Sequence, residues 1–214
     1  MKIEIWSDIV CPWCYIGKRR LEQALDRFEH AAEVELEWRS FQLDPSAPVG
    51  VAEPVLRMLA EKRGMGETAA RAALDRVTAI GAELGLAIDF DRALAVNTFD
   101  AHRLLHLAKS AGLSDAAWER MMKAYFTEGA DLSDRGTLVR LVGEAGVPIE
   151  EAERVLAGDD YRAEVQADLR AAVELGASGV PFFVVERRYG ISGAQPVETF
   201  LDALRRAHAD RAAV

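Results

Sequence analysis

Residues 9–17 read IVCPWCYIG and hold both cysteines of the 214-residue chain, Cys11 and Cys14, separated by two residues. Three uses fit such a pair: metal binding, a structural disulfide, or a redox couple that opens and closes. A disulfide across so short a loop constrains little of the unfolded chain, because the loop-closure entropy that it removes grows with loop length. A structural role is therefore disfavoured, and metal binding and redox chemistry stay open.

The cysteine pair lies between a predicted strand and a predicted helix. Polar and apolar side chains alternate over residues 2–6, as in a half-buried strand, and Ser7 and Asp8 indicate a turn. Downstream, apolar residues recur at helical spacing: Leu21, Ala24, Leu25 and Phe28. Pro12 suits the first position of this helix, where a missing N–H costs nothing. The sequence thus predicts that Cys11 lies at a helix N-terminus.

The location of Cys11 at the start of the helix gives the two cysteines different chemical roles. Unpaired N–H groups and the positive end of the helix dipole favour a thiolate at Cys11. Cys14 follows one turn later, close enough to form a disulfide with Cys11. We therefore expect Cys11 to attack a partner sulfur and Cys14 to resolve the mixed disulfide.

Zinc binding is the alternative that two histidines keep open. His102 and His106 have the spacing of the second half of a C-x₂-C and H-x₃-H site, and on a helix both imidazoles could face one ion. Residues 15–101 separate the two halves, however, against about a dozen residues in a zinc finger. We therefore expect no metal site, and both histidines are interpreted as ordinary helix residues.

A second informative stretch, GVPFFVV, covers residues 179–185. Two strands are predicted, at 182–185 and 189–192, with a turn between them, and apolar spacing after residue 197 predicts a C-terminal helix. Pro181 removes a hydrogen-bond donor just before a buried strand, which suits a strand start with either a trans or a cis peptide bond. The residues alone leave the isomer open.

Composition excludes several functions. Half of the residues are hydrophobic, 29% are charged, and the net charge is −9, so clustered phosphate contacts to nucleic acid or to an anionic membrane are not expected. No run approaches eighteen apolar residues, and charges interrupt any secretory signal near the start. We therefore expect a cytoplasmic protein, where lasting disulfides are rare and a C-x-x-C pair is more often catalytic or metal-binding.

Five stretches together resemble the DsbA-like branch of the thioredoxin-fold oxidoreductases, and within it the cytosolic FrnE-like group. They are SDIVCPWCYIGKRRLE, WRSFQLDP, NTFDAHRLLHLAKSAG, AYFTEGADLSD and LGASGVPFFVVERRYGISGAQPVETF. The resemblance implies an α/β protein with a thioredoxin-like fold and an all-helical insertion domain. It divides the chain into a discontinuous thioredoxin-like domain, residues 1–43 and 159–214, and an insertion, residues 44–158. Helical patterns at 69–86 and 97–111 agree with the insertion.

The resemblance also assigns site residues. It implies that Cys11 is the nucleophile, that Cys14 is the resolving thiol, and that the bond before Pro181 is cis and faces the active site. The substrate-binding residues that we expect are Pro12, Trp13, Val180 and Pro181. One departure concerns the buried carboxylate that many relatives carry six residues before the first cysteine, because Ile5 occupies that position here. The group that accepts the proton of Cys14 is therefore not identified by the sequence.

Three functions follow, of which a thiol–disulfide oxidoreductase, acting as a disulfide reductase or isomerase, is favoured. Its expected partners are protein or small-molecule thiols and disulfides, with no cofactor and with glutathione open as a co-substrate. The second candidate is a glutathione-dependent isomerase or transferase, similar to the kappa-class transferases and the 2-hydroxychromene-2-carboxylate isomerases, which need no resolving thiol. The third is a peptide-binding holdase regulated by the cysteine pair. The sequence does not indicate the oligomeric state.

Overall fold

The computed structural model describes residues 1–212, and the chain divides into two compact units. The first unit comprises Met1–Leu43 and the chain from Asp168 onward, and the second comprises Asp44–Ala167. The domain boundaries predicted after residues 43 and 158 stay predictions. Numbered in chain order, the strands and helices are β1 (Lys2–Ser7), α1 (Pro12–Asp26), β2 (Glu35–Ser40), β3 (Glu53–Pro54), α2 (Val55–Arg57), α3 (Glu67–Glu83), β4 (Leu94–Ala95), α4 (Phe99–Ser110), α5 (Ser114–Lys123), α6 (Arg135–Glu144), α7 (Ile149–Ala157), α8 (Arg162–Glu174), β5 (Phe182–Val185), β6 (Tyr189–Ser192) and α9 (Val197–Ala212).

A four-stranded mixed sheet, in the order β2-β1-β5-β6, forms the centre of the first unit. β1 pairs parallel with β2 and antiparallel with β5, and β5 pairs antiparallel with β6. Helix α1 connects the two parallel strands, as a parallel connection requires a crossover. The strands predicted at 182–185 and 189–192 are confirmed, as is the C-terminal helix, and α9 packs against α1.

Strand β1 is buried on both faces, although its sequence alternates polar and apolar residues. Ile3 and Ile5 lie on one face, and Trp6 lies on the other, where its ring packs near Phe182 with centroids 6.2 Å apart. Glu4 shares the Trp6 face and is only 2% exposed. The alternation therefore separates an apolar layer from a buried layer that includes charge, not a core face from a solvated face.

Ion pairs compensate for the burial of charge beside β1. Glu4 accepts hydrogen bonds from Arg39 Nη2 at 2.8 Å and from Arg187 Nε at 2.9 Å. Arg39 also donates to Asp168 Oδ1 at 3.1 Å, and Trp6 Nε1 donates to the Asp168 carbonyl oxygen at 2.9 Å. Because an unpaired buried charge is strongly unfavourable, these contacts permit a polar layer beneath the sheet.

The second unit is mainly helical. The predicted helices at 69–86 and 97–111 correspond to α3, which begins and ends a few residues earlier than predicted, and to α4, which is a few residues shorter. A two-residue antiparallel ladder between β3 and β4 was not predicted, because two residues are too few to establish a strand period. Within the part of the chain that the structure describes, no helix combines the length and the apolar character needed to cross a membrane.

Candidate active site

Cys11 is the N-cap residue of α1, as the sequence predicts. Its backbone is extended, with φ −89° and ψ 110°, and Pro12 takes the first helical position. The Cys11 carbonyl oxygen accepts from the N–H groups of Cys14 at 3.0 Å and Tyr15 at 3.3 Å, while the Cys11 N–H donates to the Asp8 carbonyl oxygen at 3.1 Å. The strand-to-helix turn therefore fixes the backbone on both sides of the first sulfur.

The loop before β5 supplies the second part of the site. Cys11 Sγ lies 3.6 Å from the carbonyl oxygen of Val180, a residue 169 positions away in the sequence. The bond between Val180 and Pro181 is cis, as the resemblance implies. Both elements belong to the first unit, so this juxtaposition is produced by one compact body. The structure thus brings the CPWC segment and the GVPFF segment together.

Cys14 is buried and interacts with Cys11, and both cysteines are free thiols. Burial raises the pKa of Cys14 well above its usual value, and the interaction with Cys11 raises it further. The Ser7 side chain and the Asp8 backbone oppose this rise in the Cys14 pKa by hydrogen bonding to the sulfur. Ser7 Oγ is fully buried and makes no hydrogen bond of good geometry among the described residues, so its hydroxyl can turn toward Cys14.

The remaining predicted site residues differ in accessibility. Pro12 and Val180 are half-buried, and Pro181 is buried. Trp13 is 39% exposed, whereas Cys11 is only 3% exposed. Little of Cys11 is therefore open to an incoming sulfur, and the neighbouring Trp13 indole exposes apolar surface.

Sequence reasoning missed Gly17, which packs against the Pro181 loop. A Cβ atom added at Gly17 would lie 3.0 Å from Pro181 Cγ and 3.2 Å from Phe183 Cζ. Glycine within a helix lowers stability by about 1 kcal/mol relative to alanine, so its presence in α1 needs a reason. The close approach of helix and loop supplies one, and an interior glycine one turn after the CPWC segment was the available signal.

The carboxylates near the cysteines are engaged in other contacts. Glu4 belongs to the ion-pair layer on the face of β1 opposite to Ile5, because side chains alternate along a strand. Asp8 is buried, and its Oδ2 accepts from the Leu43 N–H at 2.8 Å. Ser7 is instead the side chain that lowers the pKa of Cys14, and the sequence offered no motif that would have identified it.

The two histidines of the zinc alternative both lie in α4, within the second unit. His102 is buried, and its ring packs edge-on against Trp118 with centroids 5.6 Å apart. The His106 ring stacks on Tyr161 with centroids 6.4 Å apart. Both histidines therefore take part in aromatic packing within the helical unit.

Comparisons with known proteins agree with this geometry. A family model for the DSBA-like thioredoxin domain matches residues 2–205. The crystal structure of the probable DsbA oxidoreductase SCO1869 from Streptomyces coelicolor is 46% identical, covers 98% of this chain and 90% of that chain, and superposes with a TM-score of 0.95. The uncharacterized protein YwbO of Bacillus subtilis (strain 168) is 28% identical over 185 residues, which is 86% of each protein.

A more distant neighbour has the same fold. The cytosolic disulfide reductase DsbM from Pseudomonas aeruginosa, solved with GSH, is 22% identical and superposes with a TM-score of 0.61 over 96% of this chain and all of that chain. These matches confirm the predicted α/β thioredoxin-like fold with a helical insertion, and they support thiol–disulfide oxidoreductase chemistry. The protein is a member of the DSBA-like thioredoxin domain family.

Proposed function

We propose that the protein is a thiol–disulfide oxidoreductase in which Cys11 is the nucleophile and Cys14 is the resolving thiol. The observation that carries this proposal is the position of Cys11 Sγ, at the N-terminus of α1 and 3.6 Å from the Val180 carbonyl oxygen. Backbone N–H groups and the helix dipole stabilise a thiolate at that point. The first turn of α1, Pro-Trp-Cys-Tyr, adds no acidic side chain that would oppose it.

Reduction of a substrate disulfide then takes two exchanges. The Cys11 thiolate attacks one substrate sulfur, a mixed disulfide forms, and the other substrate sulfur leaves as a thiolate. Cys14 loses its proton and attacks Cys11, the Cys11–Cys14 disulfide forms, and the second substrate sulfur is released. Two electrons pass from the protein to the substrate. Because burial raises the pKa of Cys14, the interactions with Ser7 and the Asp8 backbone support the second exchange.

Substrate is proposed to bind along the Val180–Pro181 loop, beside Pro12 and Trp13. The Val180 carbonyl oxygen faces Cys11 and can accept a hydrogen bond from a bound peptide once the thiol proton has left. The exposed Trp13 ring offers a flat apolar surface next to the reacting sulfur. Such a surface suits extended or unfolded protein segments as well as small disulfides.

The direction that we propose is reduction or isomerisation of disulfides in the cytoplasm, as in a FrnE-like protein. Thiols in that compartment keep most cysteine pairs reduced, so a reduced Cys11–Cys14 pair would be the resting state. Glutathione is the co-substrate that we propose for regeneration. Two molecules reduce the Cys11–Cys14 disulfide and leave as one glutathione disulfide, which balances the two electrons. The DsbM neighbour that was solved with GSH supports this choice.

Reduction of insulin by a thiol donor tests the proposal. We expect catalysis by the wild type, none by Cys11→Ser, and a stable mixed disulfide with substrate in Cys14→Ser. Ser192→Ala, on the exposed side of β6, is the matched control and should retain full activity. If Cys11 and Cys14 fail to form a disulfide when titrated with glutathione disulfide, the proposal is wrong.

The same variants separate this function from a glutathione-dependent isomerase or transferase. Such an enzyme would hold glutathione at the Cys11 position and would need no second thiol. Cys14→Ser would then keep its activity, whereas a disulfide reductase loses turnover because the mixed disulfide is no longer resolved. The buried Cys14, which interacts with Cys11, favours the redox reaction.

A further inference from the structure

Two of the four histidines lie together on the first unit, outside the cysteine site. The rings of His30 and His208 stack with centroids 3.7 Å apart and planes 9° apart. The Glu33 carboxylate lies beside both rings, with Oε1 3.3 Å from His30 Nδ1 and Oε2 3.8 Å from His208 Nε2. One donor atom from each of the three residues lies within 4.8 Å of the others. The proposed redox mechanism uses none of these residues.

Local backbone structure explains how His30 and Glu33 come together. A short 3-10 turn covers Ala31–Glu33, and His30 is its N-cap residue. Because a 3-10 helix has three residues per turn, side chains three positions apart lie on the same side. The Glu33 N–H donates to the His30 carbonyl oxygen at 3.0 Å, and the amino group of Met1 donates to the Glu33 carbonyl oxygen at 2.6 Å. The two donors are therefore presented by an anchored backbone.

The third donor comes from the far end of the chain. His208 lies on α9, which packs against α1. The buried Phe28 ring meets both imidazoles edge-on, with its centroid 5.7 Å from that of His30 and 6.0 Å from that of His208. One apolar side chain thus supports both rings while their nitrogen atoms face Glu33.

We propose that His30, Glu33 and His208 form a binding site for a divalent first-row transition metal ion such as Zn²⁺. Two imidazole nitrogens and a carboxylate oxygen are a ligand set that zinc accepts, with water in the fourth position. In tetrahedral zinc sites with bonds of about 2.0–2.1 Å, neighbouring donors lie about 3.3–3.5 Å apart. The His30 nitrogen lies 3.3 Å from Glu33 Oε1 and the His208 nitrogen 3.8 Å from Glu33 Oε2, so a small rotation of the carboxylate would bring one oxygen near this range for both.

Small rotations complete the site. Parallel rings direct their lone pairs side by side, so metal binding requires the imidazoles to tilt toward a common point. The side chains of His30 and Glu33 are 45% and 53% exposed, which leaves room for this movement. The ion would join the segment after α1 to α9, and the net charge of −9 favours the approach of a cation. Because the unfolded chain separates the three donors, binding stabilises the folded protein.

The cysteine pair can also bind zinc, so the test uses the full chain with Cys11→Ser and Cys14→Ser. Titration calorimetry with ZnCl₂ should give one equivalent bound. In the same background, His30→Gln and His208→Gln should each weaken the affinity about tenfold or more, since even indirect partners of a metal contribute this much. His106→Gln is the matched control, because His106 lies in the second unit, and its affinity should be unchanged.

A second measurement distinguishes the loss of a metal ligand from misfolding of a variant. Zinc should raise the unfolding temperature of the double-serine protein and of its His106→Gln variant, and should raise that of its His208→Gln variant clearly less. Circular dichroism establishes that each variant is folded before titration. The proposal is overturned if the double-serine protein shows no saturable binding of zinc. It is also overturned if the double-serine protein binds zinc with the same affinity when both His30→Gln and His208→Gln are added. Neither result bears on the redox function, because the cysteines are absent from the assay.

Discussion

Gly17 and Pro181 are in close contact, so that a Cβ atom on Gly17 would lie 3.0 Å from Pro181 Cγ. The contact joins the helix that presents Cys11 to the loop that presents Val180, whose carbonyl oxygen lies 3.6 Å from Cys11 Sγ. The absence of a side chain on Gly17 therefore permits the close approach of α1 to the Pro181 loop. This relationship makes an otherwise ordinary glycine a positioning residue of the proposed site.

Gly17→Ala should lower the rate of insulin reduction clearly while it changes the free energy of unfolding only modestly. The added methyl group must displace Pro181 and the Phe183 ring, and overpacking of this kind costs about 1–3 kcal/mol. Better helix propensity returns about 1 kcal/mol of that cost. Insulin reduction and urea unfolding measure the two effects. Gly136→Ala in α6, where the new Cβ makes an ordinary contact, is the control; equal activities of the two variants would contradict a positioning role for Gly17.

Ser7→Ala should slow the resolving step. Loss of the hydroxyl removes one interaction that lowers the Cys14 pKa, so at neutral pH a smaller fraction of Cys14 is ionised. One pKa unit changes the ionised fraction about tenfold, and we expect a rate about threefold to tenfold lower. The rate of the resolving step is measured as the rate at which a preformed mixed disulfide releases its substrate, at a series of pH values.

The expected signature of the Ser7 substitution is a shift of the pH profile for resolution toward higher pH. A purely structural effect would lower the rate at every pH without moving the profile. Ser7→Thr keeps the hydroxyl and should restore the profile, while Ser192→Ala on β6 should leave it unmoved. An unmoved profile in Ser7→Ala would rule out the role that we assign to the hydroxyl.

Glu4 should make stability depend on acidic pH. Burial favours the neutral acid, but hydrogen bonds from Arg187 and Arg39 outweigh it, so the pKa of Glu4 lies below its usual value of 4.5. A carboxylate whose pKa is lowered on folding stabilises the folded state above the unfolded pKa. That stabilisation is lost as the pH falls from about 4.5 through the lowered folded value.

Comparison of wild type with Glu4→Gln measures this contribution. Glutamine keeps one acceptor oxygen but no charge, and we expect unfolding free energies about 1–2 kcal/mol apart at neutral pH. The difference should shrink in strongly acidic buffer, once the pH has fallen through the lowered folded pKa and Glu4 itself is protonated. Urea denaturation at both pH values gives the two differences, and a gap that stays constant with pH would contradict the assignment.

Arg103→Leu should strongly destabilise the second unit. Arg103 is 1% exposed, and its guanidinium group donates to the carbonyl oxygens of Val155, Gly158 and Asp160 and to Asp100. Removal of one partner from a buried charged network costs about 3–5 kcal/mol. The exposed Arg140, which pairs with Glu144 on the helix surface, provides the control, because Arg140→Leu should change stability by well under 1 kcal/mol. Similar unfolding midpoints in the two variants would contradict this account.

Much of the site is local enough to be predicted from the chain. Pro12 has a fixed φ and no N–H, so it marks the helix start, and the helix start determines which cysteine receives the N-terminal N–H groups. The strands and the final helix were likewise identified by their periodicity. The proximity of Val180 and Pro181 to Cys11 was expected only from resemblance, because no local pattern joins residues 169 positions apart.

Sequence alone therefore determined that a pair of thiols lies at the N-terminus of a helix, since the start of the helix depends on the backbone preferences of a few adjacent residues. Tertiary structure decided three further relationships. Ser7 lowers the pKa of Cys14, Gly17 allows Pro181 to pack against α1, and two histidines distant in the sequence meet beside Glu33. Each of these relationships depends on which side chains packing brings together across the sheet and its helices. Contacts between residues that are distant in the sequence form only when the chain has folded, because they depend on how all the side chains of the core pack together.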